Sequence, residues 1–151
     1  MAKTFDINHP PKFPWIDDES TFEKFYLFEK RIGAIESNMD LNNFAKRFTI
    51  SDEPFDGPLI WARTVVLLSY TYYELEASGI MSPVSELPEL IRAHFIRKNG
   101  KKFNSDSIRN LVTYTAGISI KVDKTIDNMF QMLNRPRVPR HELKLNFNTK
   151  S

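Results

Sequence analysis

The chain has no cysteine, so neither a disulfide framework nor a thiolate metal site can form. That absence fits a reducing compartment, and a cytoplasmic location is expected. Glycine is scarce at five residues, and none falls in a GxGxxG, GxxxxGK(S/T) or GxSxG arrangement. The phosphate-cradling loop and the nucleophile elbow are therefore excluded. Long apolar runs are missing too. The longest, Leu59 to Tyr73, is interrupted by Arg63 and several Thr/Ser. It falls short of the ~20 residues that cross a bilayer, so no membrane partner is expected. The opening residues, MAKTFDINHPPKFPW, lack the apolar centre of a signal peptide.

Catalytic and metal constellations are also absent from the pattern. His9, His94 and His141 have no second ligand at helical metal-binding spacing. His94 falls beside an apolar stripe and reads as a packing histidine. Glu74 and Glu76 stand two apart on a helix and diverge. Asp17, Asp18 and Glu19 read as a helix start, where the dipole favours negative charge. Neither an enzyme nor a cofactor is expected.

Aromatics are plentiful, with 12 Phe, and apolar content is that of an ordinary globular domain able to build a core. Charge is unevenly distributed. Residues 1–80 hold 8 Lys/Arg and 13 Asp/Glu, a net of −5, while residues 81–151 hold 13 and 6, a net of +7. A basic half attracts polyanions.

Periodicity predicts an all-α single domain, a bundle of five or six helices over residues 17–135. A Pro/aromatic arm (1–16) and a basic extended tail (136–151) flank it. Asp17 or Asp18 caps a helix to about Ser37, with Phe22, Phe25, Phe28 or Glu29, Ile32, Ile35 and Met39 on one face. Asp40 opens a short helix holding Leu41, Phe44 and Phe48, and residues 49–57 are a loop. Pro58 suits the first turn of a helix over 59–77 that Gly79 ends. That helix is apolar on nearly every side, so it is the central one. Tyr70, Tyr72 and Tyr73 on it read as core rather than as base-stacking rings. Ser82 or Ser85 starts a helix with Leu87, Leu90, Ile91 and Phe95 inward, stopping at Asn99-Gly100. Asn104 or Ser105 caps the next, to about Thr115, and Gly117 ends it. Ile118–Lys121 is a strand-like connector before a last helix, Val122–Asn134, with Ile126, Met129, Phe130 and Leu133 inward.

The strongest functional signal is the basic turn. Arg92, Arg97, Lys98, Lys101 and Lys102 flank the Asn99-Gly100 turn, and Arg109, Asn110 and Thr113 lie outward on the following helix. Arg pairs with guanine and Asn with adenine in two-pronged fashion, Thr reaches phosphates, and lysines neutralise the backbone with release of counterions. Lys121, Lys124, Arg135, Arg137, Arg140 and Lys144 add the same sign. The plain alternative is a solvated turn. The connector is also longer than that of a compact helix-turn-helix. In the arm, Phe13 and Trp15 either plug surface grooves or dock on a protein partner.

From Trp61 to Arg109 the chain places a tryptophan before an apolar helix (Leu67, Tyr70, Leu75) and then Gly79-Ile80. A helix ending in Phe95, an Asn99-Gly100-Lys101 turn and a Ser107-Ile108-Arg109 helix follow. This resembles the C-terminal part of RteC-like proteins of Bacteroidetes, regulators of conjugative-transposon excision with a DNA-binding C-terminal region. The resemblance implies a largely helical regulator of a bacterial mobile element. The family's arginine-rich last helix has no counterpart in Val122–Asn134. Three functions are thus expected: a nucleic-acid-binding accessory or regulatory protein, a protein-interaction module, or an assembly in which acidic and basic halves of two copies meet.

Overall fold

The structure is a computed structural model that describes residues 10–113 and 119–138, with Val112 and Thr113 described by their backbone alone. In order it contains α1 (Glu19–Arg31), α2 (Leu41–Ala45), β1 (Leu59–Trp61), α3 (Val65–Ala77), α4 (Leu87–His94), β2 (Phe95–Arg97), α5 (Ser105–Thr113) and α6 (Ile120–Leu133). The fold is mostly helical. Thr115, Gly117 and residues 139–151 lie outside the described residues.

Helix starts follow local chemistry. Asp18, Asp40, Thr64, Asn104 and Ser119 each accept a hydrogen bond from the amide three residues on, a contact that stabilises a helix by about 1 kcal/mol. α4 has no side-chain cap and carries Pro88 in its first turn instead. α1 stops at Arg31 rather than near Ser37, because Gly33 turns the chain at φ +74°. Ile35 and Met39 still reach the core from the loop that follows.

The main correction concerns residues 59–77. They are not a continuous helix, and the fold is not purely helical. Leu59 and Trp61 point into the core and Ile60 outward, the alternation of a strand. Leu59, Ile60 and Trp61 pair in parallel with Phe95, Ile96 and Arg97. The chain then turns, and Thr64 starts α3. The central role of the remaining helix holds. α3 buries Leu67 through Tyr72, Glu74 and Leu75, and packs against α4, α5 and α6. At the other end, Ile120 and Lys121 belong to α6 rather than to a strand-like connector, since Ser119 caps that helix. Ile126, Met129, Phe130 and Leu133 face in as expected.

The described part of the arm, residues 10–16, is extended and built into the core. Phe13 bridges to Phe48 and Trp15 to Met81, so this strip runs between two loop segments. The Phe13 ring stacks on Tyr72 at 4.4 Å and the Trp15 ring on Phe25 at 5.5 Å. Both residues are buried.

Candidate nucleic-acid interface

β2 ends α4 and aims the chain at solvent. Arg97 donates its amide to Lys101 O at 2.8 Å, and Gly100 donates to Arg97 O at 2.8 Å. Asn99 Oδ1 accepts from the Lys101 amide at 3.0 Å. Gly100 sits at φ +84°, a left-handed conformation that suits glycine. Ile96 then bridges back to Lys102 in antiparallel sense, so residues 96–102 form a tight reversal beside β1. Phe103 drops into the core and Asn104 starts α5.

Arg97, Lys98, Lys101 and Lys102 are all exposed, and none has an acidic partner among the described residues. The Arg97 guanidinium lies over the Phe103 ring, 4.6 Å from its centre, a cation–π contact. A cleft of about 280 Å³ opens between the end of β1 and this turn. Arg63, Arg97, Lys98 and Asn99 line it, above Trp61 and Phe103. A cleft of about 480 Å³ between α1 and α2 carries Glu19 and Glu23, the wrong sign for a polyanion.

Two parts of the expected interface change. The stretch from α4 to α5 holds a strand and a reversal, residues 95–104, so the two helices are not a helix-turn-helix pair. On α5, Arg109 is engaged within the chain, pairing with Asp106 at 2.6 Å and with Glu86 at 4.0 Å. Asn110 is exposed, and the Thr113 side chain lies outside the described residues. Ile108 and a bond from the Tyr70 hydroxyl to Leu111 O at 3.2 Å hold α5 against the core. The exposed charge therefore concentrates on the turn rather than on the helix.

The opposition of acidic and basic halves is partly consumed inside the molecule. Arg135 grips Asp17 with two bonds of 2.8 Å, which hold that carboxyl below its usual range, and also reaches Thr21. Arg137 meets Glu74 at 2.6 Å and Asp123 at 2.9 Å. Glu74 is fully buried, and Glu76 accepts the Val84 amide on the other side of the helix. Two cations counted in the basic half thus neutralise acids of the acidic half. The partner-docking role of Phe13 and Trp15 meets a similar obstacle, because neither ring is accessible while the arm is packed.

Three buried groups have unusual environments. His94 is fully buried, with Nε2 2.7 Å from Pro11 O and Nδ1 unpartnered. A carbonyl partner makes Nε2 the protonated nitrogen of a neutral ring, and burial pushes its pKa down to about 4. It is the packing residue that the apolar stripe suggested. Glu29 on α1 is the opposite case. Both its carboxyl oxygens lack a partner among the described residues. Burial pushes its pKa up to about 8, with Arg63 acting against the shift. The Tyr72 hydroxyl is also unpartnered in the core, and burial, reinforced by the Glu29 charge, raises its pKa.

Sequence reasoning passed over Arg63 and Phe103, which complete the cleft, and named Asn99 only as a turn former. Arg63 is isolated in an apolar run, and an isolated cation there is the one signal that could have marked it. Among the described residues no cluster of His, Cys, Asp or Glu could hold a metal ion, and no helix is long and apolar enough to cross a membrane. Compared with family models, with curated proteins and with solved structures, the chain matches none.

Proposed function

We propose that this chain is a small nucleic-acid-binding accessory or regulatory protein that grips phosphates with the turn Arg97–Lys102. One observation carries the reading: four exposed cations stand on one short reversal and form no ion pair among the described residues. A cation without an internal partner is available to a phosphate, and each phosphate neutralised releases counterions. A rigid platform adds to this, since β1 holds β2 and Phe103 anchors the far side of the turn. In this reading the lysines clamp backbone and carry little sequence information, while Arg97 and Asn99 have the side-chain chemistry to pair with base edges. The resemblance of residues 61–109 to RteC-like regulators points the same way, toward a mobile-element role. A protein-docking arm draws no support from the geometry, with Phe13 and Trp15 in the core.

The test is binding to labelled duplex DNA across a salt series, with Lys101→Glu/Lys102→Glu alongside. Wild type is expected to bind with affinity that falls as salt rises. The double variant should bind more weakly, with a salt slope reduced by roughly two, about one for each phosphate that a lysine no longer neutralises. Equal binding by the two proteins would remove the turn from the interface. The absence of binding even at low salt would remove nucleic acid from consideration.

A further inference from the structure

We propose that the cleft beside the turn seats one unpaired base, so that the protein prefers single-stranded ends or overhangs to blunt duplex. The inference rests on the turn being a phosphate-binding site. β1 and β2 run in the same direction and end side by side, at Trp61 and Arg97. The cleft lies just past these ends, the place where parallel strands commonly leave room for a ligand. Its volume of about 280 Å³ lies just below the usual range of ligand pockets and suits something as small as a single base.

The lining suits a base better than it suits a bare phosphate. The Arg97 guanidinium lies over the Phe103 ring at 4.6 Å and is itself exposed, so a base can approach it from the side away from Phe103. Guanidinium planes and aromatic rings are the usual platforms for unpaired bases, because every base has a π face. Asn99 spends only its side-chain oxygen on the turn, at Lys101 N. Its NH2 group has no partner among the described residues and points the chemistry toward a base acceptor. Lys98 flanks the same opening and suits a phosphate beside that base, while Arg63 lines it from below with Nη1 bonded to Ile32 O at 2.7 Å. A base within a blunt duplex offers only its edge and cannot make this stack.

The experiment is fluorescence anisotropy of the full chain with three probes, each made as DNA and as RNA. They are a blunt duplex, the same duplex with a short overhang, and that overhang built of abasic sites, which keep the phosphates and remove the bases. The base-bearing overhang should bind about tenfold more tightly than either of the others, the order of one stacking contact. In Arg97→Lys, which keeps the charge and removes the plane, that ratio should fall to near one. Two results would overturn the inference: an abasic overhang that binds as tightly as the base-bearing one, or a preference that survives in Arg97→Lys. Either would leave the proposed function standing if duplex binding stays salt-sensitive and is weakened in Lys101→Glu/Lys102→Glu. Absence of binding to every probe would overturn both.

Discussion

Arg137 and Lys101 carry the same charge and meet opposite surroundings. Arg137 is almost buried, against Glu74 at 2.6 Å and Asp123 at 2.9 Å, and it ties the residues after α6 to the central helix. Lys101 stands in water on a turn with no acid near it among the described residues. Both lie in the half of the sequence that has a net charge of +7. The difference teaches that a regional charge count becomes a statement about partners only after the internally satisfied charges are removed. What remains among the described residues is the turn, with Lys121 and Lys124 exposed on α6, and the interior keeps its own charges for the fold.

The sharpest way to break this contrast is Arg137→Ala. It removes the guanidinium from the buried Glu74 carboxylate and should cost about 3–5 kcal/mol, read from the denaturation midpoint. A loss below ~1 kcal/mol would mean that the pair is solvated and that the two environments are alike.

The next effect is pH dependence, which comes from Glu29 and His94. In the unfolded chain Glu29 ionises near 4.5, and in the fold near 8. Between these values the folded state holds a proton that the unfolded state has released, so stability falls as pH rises. His94 works the other way. Its folded value near 4 lies below the ordinary 6.5, so between them stability rises with pH. From about 4.5 to 6.5 the two slopes oppose and nearly cancel. From 6.5 to 8 Glu29 is the group among the described residues that drives the change, and wild type should lose about 2 kcal/mol. Urea titrations at these two pH values check this, and Glu29→Gln should flatten the decline. An unchanged decline in that variant would place its origin elsewhere.

Gly100→Ala probes the turn's own shape. Nothing crowds the added carbon, but φ +84° is costly for any residue with a side chain, so a loss of about 1 kcal/mol is expected. Nucleic-acid binding should weaken with it. The smallest effect on stability belongs to Lys101→Glu/Lys102→Glu, within about 0.5 kcal/mol, because those side chains touch nothing acidic that the change would free. A large loss there would show that the turn is structural after all.

Much of the fold could be read before the structure. Asp18 and Asp40 cap where short polar side chains precede apolar periodicity, and the inward faces of α1 and α6 follow that periodicity residue by residue. Glu29 was legible as an acid at a position of the apolar stripe. Residues 59–77 misled because they are apolar on all sides, which erases the period that separates strand from helix. A three-residue strand whose partner is Phe95–Arg97 leaves no local trace either. The turn was readable from its charges and the Asn-Gly pair. The pairing of Arg135 with Asp17 was not, since it joins residues 118 positions apart. The cleft was hidden for the same reason, because Arg63 and Arg97 come together only through the β1–β2 ladder.

That ladder has a consequence for how the surface opens and closes. Its two strands belong to segments separated by α3 and α4, so the amides of Leu59–Trp61 and Phe95–Arg97 become protected only when distant parts of the chain have come together. The turn cannot hold its shape once the ladder parts. A nucleic acid that binds only the closed form should therefore slow hydrogen exchange at the β1 amides, including some that no ligand touches.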